Sequence, residues 1–309
     1  MIIQAGMRTD IPAWFSEWFM NRVQEGYVLA RNPYNLNAVT RYSLSPDVAD
    51  VLSFCTKNPA PMLRHIRELA DYRQFWFVTI TPYGRDIEPN VPDWRDVANS
   101  VRSLGRLLGA ERVHWRYDPV LITERYSLEF HIRAFRQMAN ALAGYVGACV
   151  FSFLDLYEKT RRNFPEGRAV SRAERLRIGE AFSQICADTC IPLRSCCEGT
   201  ELAPLGIDCS GCFTRAVLEK ALGEKIDLRG ETGAREGCAC LIAHDIGAYN
   251  TCMHGCRSCY ANADIRAVRR NFALHDPRSP LLIGHLQPND IVTRAKQRPC
   301  RTGQLAMEL

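Results

Sequence analysis

Three cysteines, Cys252, Cys256 and Cys259, fall in the run Asn250-Thr-Cys-Met-His-Gly-Cys-Arg-Ser-Cys-Tyr-Ala-Asn, a C-x3-C-x2-C spacing with an aromatic residue directly after the last thiol. Three thiolates on one short loop can each hold one iron of a [4Fe-4S] cube. The fourth iron then has no protein ligand, and an open metal position is where a small molecule binds. Zinc is the competing reading, because a structural zinc ion takes four closed ligands and His254 lies inside the triplet as a local candidate. Disulfides or inert thiols are the remaining alternative.

The other cysteines suggest a second metal site. Cys196 and Cys197 are adjacent, Cys209-Ser-Gly-Cys212 is a C-x2-C pair, and Cys238-Ala-Cys240 follows. Cys197, Cys212, Cys238 and Cys240 are the candidates for an auxiliary [4Fe-4S] cluster. A zinc ribbon from Cys209, Cys212, Cys238 and Cys240 carries equal weight on spacing. Cys186 and Cys190 read as surplus or core thiols, and Cys55, Cys149 and Cys300 as buried small hydrophobes.

Fourteen cysteines in 309 residues, with no export signal pattern at the start, favour reduced thiols and metal ligation over a disulfide framework and predict a cytoplasmic address. No apolar run approaches the roughly 18 residues needed to cross a bilayer, so no membrane partner is expected. The formal charge of +5 is modest for this length and permits an anionic substrate without requiring one.

The elements that must position these residues follow a regular rhythm. Eight short apolar runs recur, at Ile2 to Ala5, Tyr27 to Ala30, Val51 to Cys55, Phe75 to Ile80, Val113 to Arg116, Ala148 to Phe153, Ile191 to Cys196 and Ile242 to Tyr249. Between them lie segments of helical periodicity such as Pro12 to Gln24, Pro92 to Leu108, Leu128 to Leu142 and Ala173 to Cys186. Strand then helix, eight times over, predicts an α/β fold of the (β/α)8 TIM-barrel type. The expected organisation is one barrel domain over residues 1–309, a cysteine-rich insertion at 197–240 before the last strand, and a C-terminal extension at 273–309 packing on the barrel.

In such a barrel the strand tips share one mouth, where active sites are built. Here every tip is polar or charged. Asp118, Asp155 and Glu198 are the candidate catalytic carboxylates, since carboxylates crowded in a mouth can have shifted pKa values. Gly6, Arg8, Thr9, Asp10, Lys57, Arg116, Asn250 and Tyr260 are the candidate cofactor contacts. An Asp or Asn before a helix is as readily an N-cap, which weighs against Asp10 and Asp118. Tyr83, Tyr117 and Tyr157 are candidate proton or hydrogen-atom donors, with packed walls the plainer role.

The C-x3-C-x2-C-Tyr motif is similar to the signature of the radical S-adenosylmethionine superfamily. The longer stretch from Gly237 to Asn262 resembles an uncharacterised bacterial family whose cysteine cluster is C-terminal, as do Arg8-Thr-Asp-Ile-Pro, Thr56-Lys-Asn-Pro, Trp115-Arg-Tyr-Asp-Pro and Ser152-Phe-Leu-Asp-Leu-Tyr. The resemblance implies a [4Fe-4S] cluster whose unique iron is chelated by S-adenosylmethionine, reductive cleavage to a 5'-deoxyadenosyl radical, and a reducing partner such as flavodoxin or ferredoxin. The sequence departs from the superfamily in two ways. Its cluster loop follows the last candidate strand, so the topology reads as circularly permuted, and Gly6-Met-Arg-Thr-Asp10 stands where a Gly-Gly-Glu turn is usual. The family also carries a larger aromatic where Cys55 stands.

The substrate is not legible. A nucleic acid is suggested by the basic stretch from Lys159 to Arg168 with the following Arg172, Arg175 and Arg177, and by Arg266, Arg269 and Arg270, but Glu158, Glu166, Glu174 and Glu180 interrupt the first run, as on an ordinary solvated surface. The alternative function is a zinc- or iron-sulfur-stabilised barrel that binds a partner or transfers electrons without S-adenosylmethionine chemistry.

Overall fold

In a strand, alternate side chains point to opposite faces, and that alternation sorts the core into two layers. Ile2, Val51, Phe75, Phe77 and Val150 gather on one face of a sheet, while their neighbours Ile3, Leu52, Trp76, Val78, Cys149 and Phe151 gather on the other. The structure, a computed structural model, describes residues 1–227, 238–241 and 243–306.

The strands are β1 (Ile2–Ala5), β2 (Tyr27–Arg31), β3 (Ala38–Ser43), β4 (Val51–Thr56), β5 (Arg73–Thr79), β6 (Val113–Val120), β7 (Ala148–Phe153), β8 (Leu193–Ser195), β9 (Glu224–Ile226), β10 (His244–Asp245), β11 (Ile291–Arg294) and β12 (Arg301–Leu305). Seven of them form one sheet in the order β10-β1-β4-β5-β6-β7-β8. Every pairing in it is parallel. The helices are α1 (Ile11–Trp14), α2 (Ser16–Glu25), α3 (Ala60–Leu63), α4 (Trp94–Leu108), α5 (Leu128–Leu142), α6 (Glu158–Asn163), α7 (Arg172–Asp188), α8 (Arg215–Leu222) and α9 (Ile265–Phe272).

The face built on Trp76, Trp115 and Phe151 carries the larger core, with Trp18 of α2, Val101 and Leu104 of α4, Phe135 of α5 and Phe182 of α7. Phe135 and Phe182 stack at 3.7 Å between ring centroids. These helices start where capping residues place them: Asp93 accepts from Arg95 N, Ser127 from Phe130 N, and Ser171 with Glu174 forms a full capping box. The opposite face is covered by Phe213 and by Val217, Leu218 and Leu222 of α8.

Two expectations need correction. The run Tyr27 to Ala30 is not a strand of the main sheet: β2 pairs antiparallel with β3, which pairs in turn with β11. The turn residues decide this, because the Asn32 side chain accepts from Tyr34 N and Asn35 N and sends the chain straight back on itself. An apolar run alone cannot tell a central parallel strand from one arm of such a hairpin. Where the sequence predicts a closed eight-stranded barrel, the parallel sheet among the described residues has seven strands, with β10 and β8 at its edges. The permuted order is present, since β10, the last of these strands in the chain, lies parallel beside β1. Of the run Ile242 to Tyr249 only His244–Asp245 is strand, and Ile242 lies outside the described residues. Among the described residues no helix is long and apolar enough to cross a membrane.

Candidate metal centres at the strand tips

Cys252, Cys256 and Cys259 lie beyond β10, beside the tips of β1 and β4. Asn250 opens their loop in the left-handed region, with φ 58°, a conformation that asparagine tolerates better than most residues. Its side chain accepts from Ala263 N, and its carbonyl accepts from Asn271 Nδ2 at 3.0 Å. The loop is thereby closed on itself and tied to α9. Tyr260 reaches back to donate to the Met7 carbonyl at 2.6 Å.

His254 is a tether and not a spare ligand. Its Nε2 lies 2.8 Å from Asp10 Oδ2 and its Nδ1 lies 3.3 Å from the Asn90 carbonyl. The other contacts of Asp10 are to Ala13 N at 3.0 Å, capping α1, and to Lys57 N at 2.7 Å. One buried carboxylate thus joins the β1 tip, the β4 tip and the cysteine loop. The N-cap reading of Asp10 holds, but it is a third of what the residue does. The apposition of β1 and β4 also explains Gly6: its φ is 149°, and a Cβ there would sit 2.1 Å from the Cys55 carbonyl oxygen.

Burial pushes the thiols of Cys252, Cys256 and Cys259 above their ordinary range. Asp10 and Cys259 add to the shift at Cys252, and Glu88, Cys259 and Cys252 add to that at Cys256. The three therefore face a common region. Lys57 works against the shift at Cys256 and Cys259. Its Nζ lies 2.7 Å from Glu88 Oε1 and 3.1 Å from Thr81 Oγ1. Burial opposes the Lys57 ammonium, yet Glu88 and then Cys256 overcome it and hold its pKa above the usual value.

A second group occupies the other face. Cys212 Sγ is 3.5 Å from Cys196 Sγ and 3.3 Å from Cys240 Sγ, and Phe213 N donates to Cys240 Sγ at 3.3 Å. These three form a buried or half-buried set able to hold a metal, with all donor atoms within 4.8 Å of one another. Hydrogen bonds from Cys197, Cys212 and Cys240 hold the Cys196 thiol well below its ordinary range. Cys240 is pushed up to about 11, chiefly by its hydrogen bond with Cys196. The set differs from the expected one: Cys196 takes part, whereas Cys238 is not among the three and Cys209 donates to the Ile207 carbonyl at 3.4 Å.

Arg116 links this set to the sheet interior. Its Nη1 lies 3.7 Å from Cys212 Sγ, while Nε and Nη2 hold Asp118 Oδ2. Ser152 Oγ donates to the other oxygen of Asp118. Glu198 stands apart. It accepts from Phe153 N at 2.8 Å and pairs with Arg175 at 2.8 Å, and its burial pushes its pKa up to about 7. Asp155 is exposed and accepts from Tyr157 Oη at 3.3 Å. Arg8 is bound to Asp245 through its backbone N–H at 2.9 Å and through its guanidinium. Thr9 is buried, and its Oγ1 has no hydrogen-bond partner among the described residues; the same holds for Asn262 Oδ1, in the cysteine loop. Tyr83 donates to the Pro119 carbonyl at 2.6 Å, and Tyr117 lies 2.7 Å from His131 Nδ1, so both are hydrogen-bonded members of the core.

A family model described as a domain of unknown function, DUF1848, matches residues 2–261. The chain belongs to that family. The matched span takes in all seven strands of the parallel sheet and both cysteine groups, so the family is defined over the metal centres as well as over the scaffold. No curated protein and no solved structure matches the chain.

Sequence reasoning did not single out Glu88, Thr81, Ser152 and Arg175 as site residues, and it left Cys196 out of the second group. For Cys196 a signal existed. Val150 faces α8 and pairs with Arg194, so alternation carried one step past β8 puts Cys196 on that same face. Nothing in the sequence marks Glu88, which comes to Lys57 from a separate loop.

Proposed function

We propose that the chain is an iron–sulfur enzyme in which Cys252, Cys256 and Cys259 hold a [4Fe-4S] cluster that leaves one iron for S-adenosylmethionine. The observation that carries this reading is the convergence of one buried and two half-buried thiols, Cys252, Cys256 and Cys259, at the strand tips, with every pair of them within electrostatic reach. A buried thiol resists ionisation, and metal coordination is the ordinary means of obtaining three thiolates in such a place. When bound, the cluster and S-adenosylmethionine would supply one-electron cleavage of the sulfonium.

The residues around the cluster have separable tasks. Asp10 and His254 fix the loop, and Lys57 offsets the negative charge that three thiolates bring. Thr9 Oγ1 and Asn262 Oδ1 offer unsatisfied polar atoms beside the loop, and Arg8 and Tyr260 flank it. The Arg116–Asp118–Ser152 group is the candidate substrate contact. Glu198, whose pKa burial pushes up to about 7, is the candidate proton store. A reducing, cytoplasmic setting and a flavodoxin- or ferredoxin-type donor fit fourteen free thiols.

The test is anaerobic reconstitution with iron and sulfide, reduction, and assay for 5'-deoxyadenosine. A fully loaded, reduced protein that neither binds nor cleaves S-adenosylmethionine defeats the reading. The second reading, a metal-stabilised binding or electron-transfer protein, is favoured by one observation: Cys196, Cys212 and Cys240 already stand at metal-sharing distance. It predicts a retained metal with no cofactor cleavage.

A further inference from the structure

We infer that Cys196, Cys212 and Cys240 hold a single zinc-class divalent ion, with Cys197 as the fourth sulfur ligand, and that this ion fastens together the two edges of the open parallel sheet. The inference is independent of S-adenosylmethionine chemistry at the other cysteines.

The argument is metric. Four thiolates around one zinc ion at about 2.3 Å stand about 3.8 Å from one another in a tetrahedron. The observed separations of 3.5 and 3.3 Å are close to that edge. In a [4Fe-4S] cube each thiolate binds a different iron, so the sulfurs stand further apart than sulfurs sharing one ion. Among the described residues, Cys196, Cys212 and Cys240 are the only three ligand groups whose donor atoms fall within 4.8 Å of one another. Cys252, Cys256 and Cys259 do not meet that limit. A disulfide is ruled out by the same distances, since a covalent S–S bond is about 2 Å. Cys197 hydrogen-bonds Cys196, and its φ of 60° turns the backbone sharply at that point.

The placement of the ligands gives the ion its task. Cys196 directly follows β8, one edge of the sheet, and Cys240 lies just before β10, the other edge. Cys212 leads into α8, which covers the sheet face between them, and Leu241 N donates to the Phe213 carbonyl at 2.8 Å. Among the described residues no strand pairing joins β8 to β10, so an ion held by all three segments adds to the Leu241–Phe213 bond a direct link between the two edges. On binding, the thiols release their protons to solvent and no electron is transferred.

The experiment uses the full chain, purified anaerobically, with zinc, iron and acid-labile sulfide counted in wild type, Cys212→Ser and Cys256→Ser. The expected result is about one zinc per chain in wild type, lost in Cys212→Ser with iron retained, and iron lost in Cys256→Ser with zinc retained. Zinc-edge X-ray absorption should show four sulfurs at about 2.3 Å, reduced to three by Cys197→Ser. Loss of iron and sulfide in place of zinc on Cys212→Ser overturns the proposal. So does a wild-type protein whose Cys196, Cys212 and Cys240 are metal-free and react readily with a thiol reagent. Should Cys212→Ser fail to fold, chelation of zinc from folded wild type, followed by re-addition, gives the same reading. Absence of S-adenosylmethionine cleavage with zinc present would defeat the proposed function alone.

Discussion

The two cysteine groups differ in what surrounds them more than in what they contain. Cys252, Cys256 and Cys259 come from one loop, with their sulfurs spread and the Lys57–Glu88 pair, Asp10 and unsatisfied polar atoms close by. Cys196, Cys212 and Cys240 come from three segments, with their sulfurs drawn together against the apolar side of α8. The first arrangement sets spread sulfurs beside polar atoms without partners, and the second draws its sulfurs to the spacing of ligands that share one ion. A protein that needs both a reactive metal and a fixed scaffold would separate them in this way, and Arg116 reaches from the closed group to the candidate substrate carboxylate Asp118.

The comparison can be broken at either end. The largest effect is expected from Cys256→Ser, which should abolish iron–sulfur absorbance and all S-adenosylmethionine cleavage while leaving the fold intact by circular dichroism. Cys212→Ser should do the converse: Tm falls by roughly 10 °C as the link between sheet edges is lost, while the iron chromophore persists. If both variants lose both metals, the two groups are one system and the contrast fails.

A smaller change sharpens the picture of the open group. Glu88→Gln leaves the half-buried Lys57 ammonium without its charged partner, and breaking such a pair costs about 3 kcal/mol. Denaturant unfolding of Glu88→Gln and of the double variant with Lys57→Met should show the loss largely restored in the double. An unaltered midpoint in Glu88→Gln would mean that the pair is not part of the support of the cysteine loop.

The smallest effect concerns two buried histidines, His114 of β6 and His131 of α5. Burial pushes the pKa of His114 down to about 3 and of His131 to about 4. Both must stay neutral in the folded state but can take up a proton when unfolded near 6.5, so their contribution to stability is complete above that pH and is lost as pH falls toward their folded values. At pH 5 each should cost roughly 2 kcal/mol relative to pH 7.5. Thermal unfolding across this range, with His131→Phe as control, measures it. An acid slope in wild type that is unchanged in His131→Phe would remove that residue from the account.

Much of the fold was legible because strands buried on both faces read as apolar runs, and seven of eight runs were placed correctly on that basis. Tyr27 to Ala30 misled because its burial comes from a side sheet, which periodicity cannot separate from the main one. The cysteine loop was legible for a different reason: its ligands are local in sequence. The second group was only half legible. Its ligands meet through the fold, and the part taken by Cys196 depends on which face of the sheet the chain presents just past β8. Asp10 illustrates the same limit, since a capping role is visible from Pro12 two residues on, but its bonds to Lys57 N and His254 depend on β4 and the distant loop.

The most direct test is the metal inventory of anaerobically purified protein, taken together with the response of its iron to S-adenosylmethionine. The account predicts about four irons with matching sulfide and about one zinc per chain, and an electron paramagnetic resonance signal of the reduced cluster that changes when S-adenosylmethionine is added. Zinc alone, or iron whose signal ignores S-adenosylmethionine, would contradict it.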